Sequence, residues 1–302
     1  MPELVKVDRY AIQRSLGAGG IGLVYEAIDS DSGAHVAIKT LRDVTPDGLY
    51  RLKREFRLLQ GVEHPNVCQI YELFEHDGRW FITMELVDGT SLLEYMRGDE
   101  ERLRDAMAQL ALALCAVHEA ELVHRDLKPS NVLVTDEGRV VLLDFGFVED
   151  TAKEASPTRS QSIVGTPMYM APEQALAADA GPAADWYSFG VILFEALTGR
   201  LPFDGETALA VMLEKQRTDA PRASAIVPGV PADLDELCAD LLRIDPARRP
   251  SGSSVLRRLG ARSSARDSRP ALASVPSVSG GFVGRSSELA QLRSAFNELG
   301  EV

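Results

Sequence analysis

The sequence predicts an α+β fold of two lobes, a small β-rich lobe followed by a larger α-helical one. Three observations predict it. Short alternating stretches, punctuated by glycine and turn residues, fill the first ninety or so positions. Apolar residues in helical patterns fill residues 102–118 and again residues 186 to about 259, with one short hairpin pattern between them. The length, 302 residues, exceeds the roughly 100–200 typical of one domain, but a single two-lobed unit accommodates most of it.

Taken in order, residues 10–16 and 23–28 read as strands flanking a glycine cluster, and residues 35–41 alternate as a third strand. Leu49, Leu52, Phe56 and Leu59 recur at spacings of three and four, the pattern of a helix, and Pro65 and Asn66 close that segment. Residues 67–74 and 80–86 predict two more strands joined by the turn His76-Asp77-Gly78-Arg79. After Gly89 the character becomes helical, and residues 102–118 are Ala/Leu-rich as in a buried helix. Residues 132–134 and 140–143, separated by Thr135-Asp136-Glu137-Gly138, predict a β-hairpin. From Trp186 the pattern is helical to about Leu259. The predicted lobes are therefore residues 1–87 and 88–260. Residues 261–281 hold Arg262, Arg266 and Arg269 among serines and prolines and end on Gly280-Gly281, the composition of a flexible basic linker.

The charge sum, 32 basic against 45 acidic residues, is −13 with a sequence pI near 4.9. Such a chain does not adhere to nucleic acid or anionic membrane by bulk electrostatics, so neither is an expected partner. Cys68, Cys115 and Cys238 lie far apart and form no Cys-x-x-Cys pair, which argues against a zinc site or a disulfide framework and for a reducing compartment. The first residues carry no basic-then-apolar signal, and the longest apolar stretch, around residues 106–117, is too short to span a bilayer. A cytoplasmic protein is expected. The richness in arginine and alanine suggests a GC-rich, bacterial genome.

Several motifs carry chemistry. Gly17-Ala18-Gly19-Gly20-Ile21-Gly22-Leu23-Val24 fits Gly-x-Gly-x-x-Gly-x-Val, and glycines let a backbone approach phosphates closely. A dinucleotide fold would need a helix directly after the glycines, whereas residues 23–27 read as strand. Lys39 ends Val36-Ala37-Ile38-Lys39, and alternation places it with Ala37 on one face. Glu55 falls on the apolar face of its helix, where a carboxylate is costly unless paired, and Lys39 is an available partner. Asn131 stands just before the predicted hairpin and Asp144 just after it. Pairing would bring them together, at about 5 Å between Cα atoms if they face each other. An amide and a carboxylate converging there suit Mg²⁺, which takes oxygen ligands. His124-Arg125-Asp126-Leu127-Lys128-Pro129-Ser130-Asn131 presents one candidate base and one metal ligand on a single loop, and Asp144-Phe145-Gly146 follows.

With Ala171-Pro172-Glu173, Asp185 and Arg249 in the same order, these motifs make the chain, from about Tyr10 to Leu259, resemble the eukaryotic-type (Hanks-type) Ser/Thr protein kinases of bacteria. The resemblance implies the two-lobed protein-kinase fold and an ATP- and Mg²⁺-dependent transfer to protein Ser/Thr hydroxyls. It implies that Lys39 contacts the α- and β-phosphates and pairs with Glu55, that Asp126 receives or orients the substrate hydroxyl, and that Lys128 stabilises the transferring group. It further implies that Asn131 and Asp144 hold magnesium, and that Gly17, Gly19 and Gly22 cover the phosphates. Leu16, Val24, Ala37 and Leu133 would sandwich adenine, Met84 would be the gatekeeper, and the backbone of Glu85 and Val87 would bond the base. Residues 165–173 would form a peptide-receiving shelf, with Glu173 paired to Arg249 and Thr166 bonding the catalytic aspartate. That segment argues against a kinase of small molecules. Protein substrates are the expected partners, and a homodimer for trans-autophosphorylation is open. Thr151, Ser156, Thr158, Ser160 and Ser162 lie between Gly146 and Gly165, with Thr158, Ser160 and Ser162 the candidate phosphorylation sites. The competing reading is a pseudokinase scaffold. Finally, Phe282-Val283-Gly284-Arg285 with Glu288-Leu289, followed by Leu292, Phe296 and Leu299, resembles the opening of bacterial AAA/signal-transduction ATPase modules. Residues 282–302 are therefore expected to begin a second domain of a longer protein or to form a terminal helix.

Overall fold

The computed structural model describes residues 6–19, 22–41, 46–144, 166–176, 180–205 and 207–260. The expectations for the linker, for residues 282–302 and for Thr158, Ser160 and Ser162 lie outside these residues.

The smaller lobe is a six-stranded antiparallel sheet in the order β1-β2-β3-β4-β6-β5. Its strands are β1 (Lys6–Val7), β2 (Tyr10–Gly19), β3 (Gly22–Asp29), β4 (His35–Leu41), β5 (Ile70–His76) and β6 (Arg79–Glu85), with helix α1 (Pro46–Gln60) between β4 and β5. Strand β4 lies between β3 and β6, and only its first residue is exposed. Val36 and Ile38 join Val7, Tyr10, Ala27 and Phe81 in one apolar layer, and Phe74 stacks between Tyr10 and Phe81 at 5.6 and 5.5 Å. Helix α1 buries Leu52, Phe56 and Leu59, as their spacing requires. Asp77 (φ 49°) and Gly78 (φ 72°) both turn left-handed, which matches the twist of the two strands they connect.

Three predicted strands are placed differently. The first pair is longer than expected: Gly17 faces Val24, Ala18 faces Leu23 and Gly19 faces Gly22, so most of the glycine cluster is itself hairpin. Strand β5 starts at Ile70 rather than 67 because residues 66–68 pair elsewhere. Leu142 N–H donates to Asn66 C=O at 2.8 Å, and Cys68 N–H donates to Leu142 C=O at 2.9 Å.

The larger lobe carries a small sheet of β7 (Thr90–Ser91), β8 (Val132–Val134) and β9 (Val140–Leu142). Its helices are α2 (Leu92–Met96), α3 (Glu100–Glu119), α4 (Thr166–Tyr169), α5 (Pro182–Thr198), α6 (Ala208–Lys215), α7 (Ala223–Ile226), α8 (Ala232–Leu241) and α9 (Gly252–Arg258). The unpredicted β7 is too short to show a period. Helix α3 starts where Asp99 accepts from Arg102 N–H, and it buries Leu103, Ala106, Met107, Leu110, Ala111 and Leu114. Helices α5 and α8 pack closely at Gly190, where a Cβ would lie 2.7 Å from that of Leu241. Among the described residues, no helix is long and apolar enough to cross a membrane.

Candidate active site

The hairpin β8–β9 organises the site. Val132 faces Leu142, so the register places Asn131 opposite Leu143, with Leu143 N–H donating to Asn131 C=O at 2.8 Å. This corrects the expected facing of Asn131 and Asp144: Asp144 is one residue past the paired position. Its φ of 44° is left-handed, uncommon for a residue other than glycine. The turn leaves its carboxylate one-third exposed, with Oδ1 accepting from Lys39 Nζ at 2.6 Å. Lys39 reaches it from β4, where it faces Val24 and Ile82 and is buried. Glu55 is half-buried on α1, and the partner described for Lys39 is Asp144.

The loop from His124 to Asn131 is bound together by side chains. Asp126 is buried, and its Oδ2 accepts from Lys128 Nζ at 2.6 Å and from Asn131 Nδ2 at 3.1 Å. Asn131 Nδ2 also donates to Asp126 C=O at 2.8 Å. The other carboxylate oxygen, Oδ1, is buried and has no hydrogen-bond partner among the described residues. A buried carboxylate oxygen without a partner is costly. His124 joins loop to hairpin: its Nε2 lies 2.9 Å from Leu143 C=O and its Nδ1 lies 3.3 Å from Asp126 N–H. The carbonyl needs a donor and the amide an acceptor, which matches the neutral ring protonated on Nε2.

Asp185, on α5, carries more of the site than its place in a motif disclosed. One of its oxygens accepts from Arg125 N–H, and the other accepts from His124 N–H and lies against His118 Nε2, all at 2.8 Å. Arg125 has φ 65°, another strained position, and a fully buried carboxylate is what holds it. Asp185→Asn keeps the shape and removes the charge. Hydrogen bonds to charged groups are worth about 1.5–3 kcal/mol, so a loss of that order in urea unfolding is expected, with reduced turnover. An unchanged midpoint would contradict this role.

The apolar candidates line the neighbouring strands. Ala37 and Met84 are buried and face each other across β4 and β6. Leu133 is half-buried on β8, Val24 is half-buried on β3, Val87 is half-buried just after β6, and Leu16 is exposed on β2. Glu85 N–H is committed to Gln69 C=O at 2.8 Å, its carbonyl accepts from Cys68 Sγ at 3.7 Å, and its side chain pairs with Arg139. Burial beside Glu85 pushes the Cys68 thiol up, so it is no thiolate. Gly22 has a packing reason as well: a Cβ there would lie 1.8 Å from Thr40 C=O. The side chain of Thr166 lies outside the described residues, as does the pairing expected of it.

The donor set suits magnesium. Asn131 spends its nitrogen on Asp126, so the oxygen it would offer a metal is Oδ1, and Asp144 would add carboxylate oxygen. Among the described residues no group of three or more His, Cys, Asp or Glu could hold a metal alone. Two protein oxygens are what Mg²⁺ takes when phosphates and water complete its shell.

The protein kinase domain model matches residues 10–259. The chain is 36% identical over 248 residues to the serine/threonine-protein kinase PrkC of Bacillus subtilis, covering 80% of this chain and 38% of that one. It is 37% identical over 254 residues to the serine/threonine-protein kinase PknA of Mycobacterium tuberculosis, covering 80% and 58%. It is 36% identical over 250 residues to the serine/threonine-protein kinase PknL of Mycobacterium bovis, covering 80% and 62%. The chain thus spans between about two-fifths and three-fifths of the curated relatives it matches.

Proposed function

Because this chain belongs to the protein kinase domain family, we propose that it transfers the γ-phosphoryl group of ATP to serine or threonine hydroxyls of protein substrates. The observation that carries this reading is the convergence of two charge pairs, Lys39–Asp144 and Lys128–Asp126, at the open end of one hairpin with Asn131 between them. Phosphoryl transfer needs in-line positioning and charge neutralisation more than covalent help.

In this reading Asp126 accepts the hydroxyl proton at its carboxylate as the new oxygen–phosphorus bond forms. The bond from the γ-phosphorus to its bridging oxygen breaks, and ADP departs with that electron pair. Lys128, already against Asp126, stands beside the reacting oxygens and offsets their charge. Lys39 orients the α- and β-phosphates, Glu55 supports Lys39, and Gly17, Gly19 and Gly22 let the hairpin backbone close over them. Asn131 and Asp144 would hold magnesium, which when bound neutralises the charge on the phosphate oxygens. Leu16, Val24, Ala37 and Leu133 enclose adenine beside Met84, and Thr166 steadies Asp126. The test is incubation with γ-labelled ATP and a generic basic protein. Label on the protein that requires Mg²⁺ is the expected result. ATP binding with no transfer would establish the scaffold reading instead.

Activation is read from Arg125, which adjoins the base, and from the hydroxyls at Thr158, Ser160 and Ser162. A phosphate adds a charge of about −2 and orders such a segment through arginine contacts. Two copies phosphorylating each other would supply it. Mass spectrometry after incubation with ATP should place phosphate between Thr151 and Ser162, and its absence there would sink this part. From the sequence alone, residues 1–87 and 88–260 are read as the two lobes, 261–281 as a linker and 282–302 as the start of an ATPase-like module.

A further inference from the structure

Lys215 closes α6 and is 1% exposed, an unusual place for an ammonium. Among the described residues no carboxylate pairs with it. Its Nζ donates to the backbone carbonyls of Pro167 at 2.9 Å, Met168 at 2.6 Å and Met170 at 3.0 Å. The carbonyl between them, that of Tyr169, accepts from Ser188 Oγ at 2.8 Å. Two side chains thus satisfy four consecutive carbonyls.

The need is physical. Helix α4 is a single turn, so its last carbonyls have no intrahelical partners, and the chain leaves it without joining a sheet. An ammonium has three protons, matching three carbonyls, and a cation is favoured at a helix C-terminus. Burial pulls Lys215 down from the ordinary lysine value to about 7, the mark of a charge that is costly to enclose. The ring of Tyr187 lies 5.5 Å from Nζ and 4.9 Å from the Arg249 guanidinium, so the lysine also belongs to the anchor of Glu173. From the other side, Gln174 accepts from Ala171 N–H and donates to Arg125 C=O, both at 2.9 Å. Segment 166–171 is therefore held between Lys215 and the residue next to Asp126.

We propose that Lys215 is a positioning residue for protein substrates: its ammonium ties the carbonyls of residues 167, 168 and 170 and so fixes the peptide-receiving segment relative to Asp126. The segment's role rests on the kinase reading above, whereas its fixation by Lys215 does not.

The test compares Lys215→Met, which keeps length and removes donors, with the wild type. Hydrogen–deuterium exchange should rise about tenfold at residues 166–171 and remain unchanged in α3. In steady-state kinetics the KM for a peptide should rise about tenfold while kcat and the KM for ATP stay within about twofold. A merely structural lysine would instead lower kcat through loss of active protein, with peptide KM unchanged. Unchanged exchange at 166–171, or equal effects on both substrates, overturns the inference. Should Lys215→Met not fold, Lys215→Gln, which retains two donors, must show the same pattern at smaller size. Failure of both to fold also overturns it, because the lysine would then support the whole lobe. If the wild type phosphorylates no peptide, the kinase reading fails, and the exchange measurement still decides whether Lys215 fixes this segment.

Discussion

Asp126→Asn is expected to lower kcat by about 10²–10⁴-fold, the usual contribution of a positioned proton acceptor, while ATP affinity and thermal midpoint stay essentially unchanged. The asparagine oxygen can keep the contacts that Oδ2 makes with Lys128 and Asn131. What disappears is the basicity of a carboxylate whose other oxygen is buried without a partner among the described residues. Relief of that desolvated charge offsets the weakened bond to Lys128, which is why stability should hold. Single-turnover kinetics on saturated enzyme separate this loss from product release. Wild-type turnover in the variant would remove Asp126 from the chemistry.

Arg249→Ala is expected to cost about 3–5 kcal/mol, the range for stripping one member from a buried ion pair. The Arg249 side chain is 1% exposed, and all five of its N–H groups are used. Two meet Glu173, at 2.5 and 2.9 Å; the others meet the carbonyls of Arg243, Ala183 and Ile244 at 2.9, 2.8 and 3.0 Å. Truncation leaves Glu173 and three carbonyls unmatched. Arg249→Lys should recover only part of the loss, since an ammonium cannot reproduce the planar fork. Denaturant unfolding reads both, and a cost below about 1 kcal/mol for Arg249→Ala would mean that the pair is merely a surface contact.

What could be read in the sequence tracks what is local. Strand β4 was legible to its ends, and α1 was legible from Leu52, Phe56 and Leu59, because a helix face or a strand centre shows its own period. The start of β5 was not, because residues 66–68 are drawn to Leu142 by tertiary pairing. The hairpin around Thr135–Gly138 was legible, but its one-residue offset between Asn131 and Asp144 was not, since register depends on which carbonyl each amide meets. Among site residues, Glu55 stood out as a carboxylate on an apolar face, while Lys39 and Asp144, 105 positions apart, meet only through the fold. Asp185 acts on backbone amides some sixty residues upstream, which no side-chain pattern marks. Lys215 left one usable trace: it lies four residues after Val211, on the buried face of α6.

The activity proposed for this site is transfer of a phosphoryl group from ATP onto a protein hydroxyl. The most direct measurement is the identity of the labelled amino acid after acid hydrolysis of a protein substrate incubated with γ-labelled ATP, Mg²⁺ and either wild type or Asp126→Asn. The wild type should yield phosphoserine or phosphothreonine, and the variant only a trace. Equal label from both proteins, or no label from a wild type that still binds ATP, would contradict it.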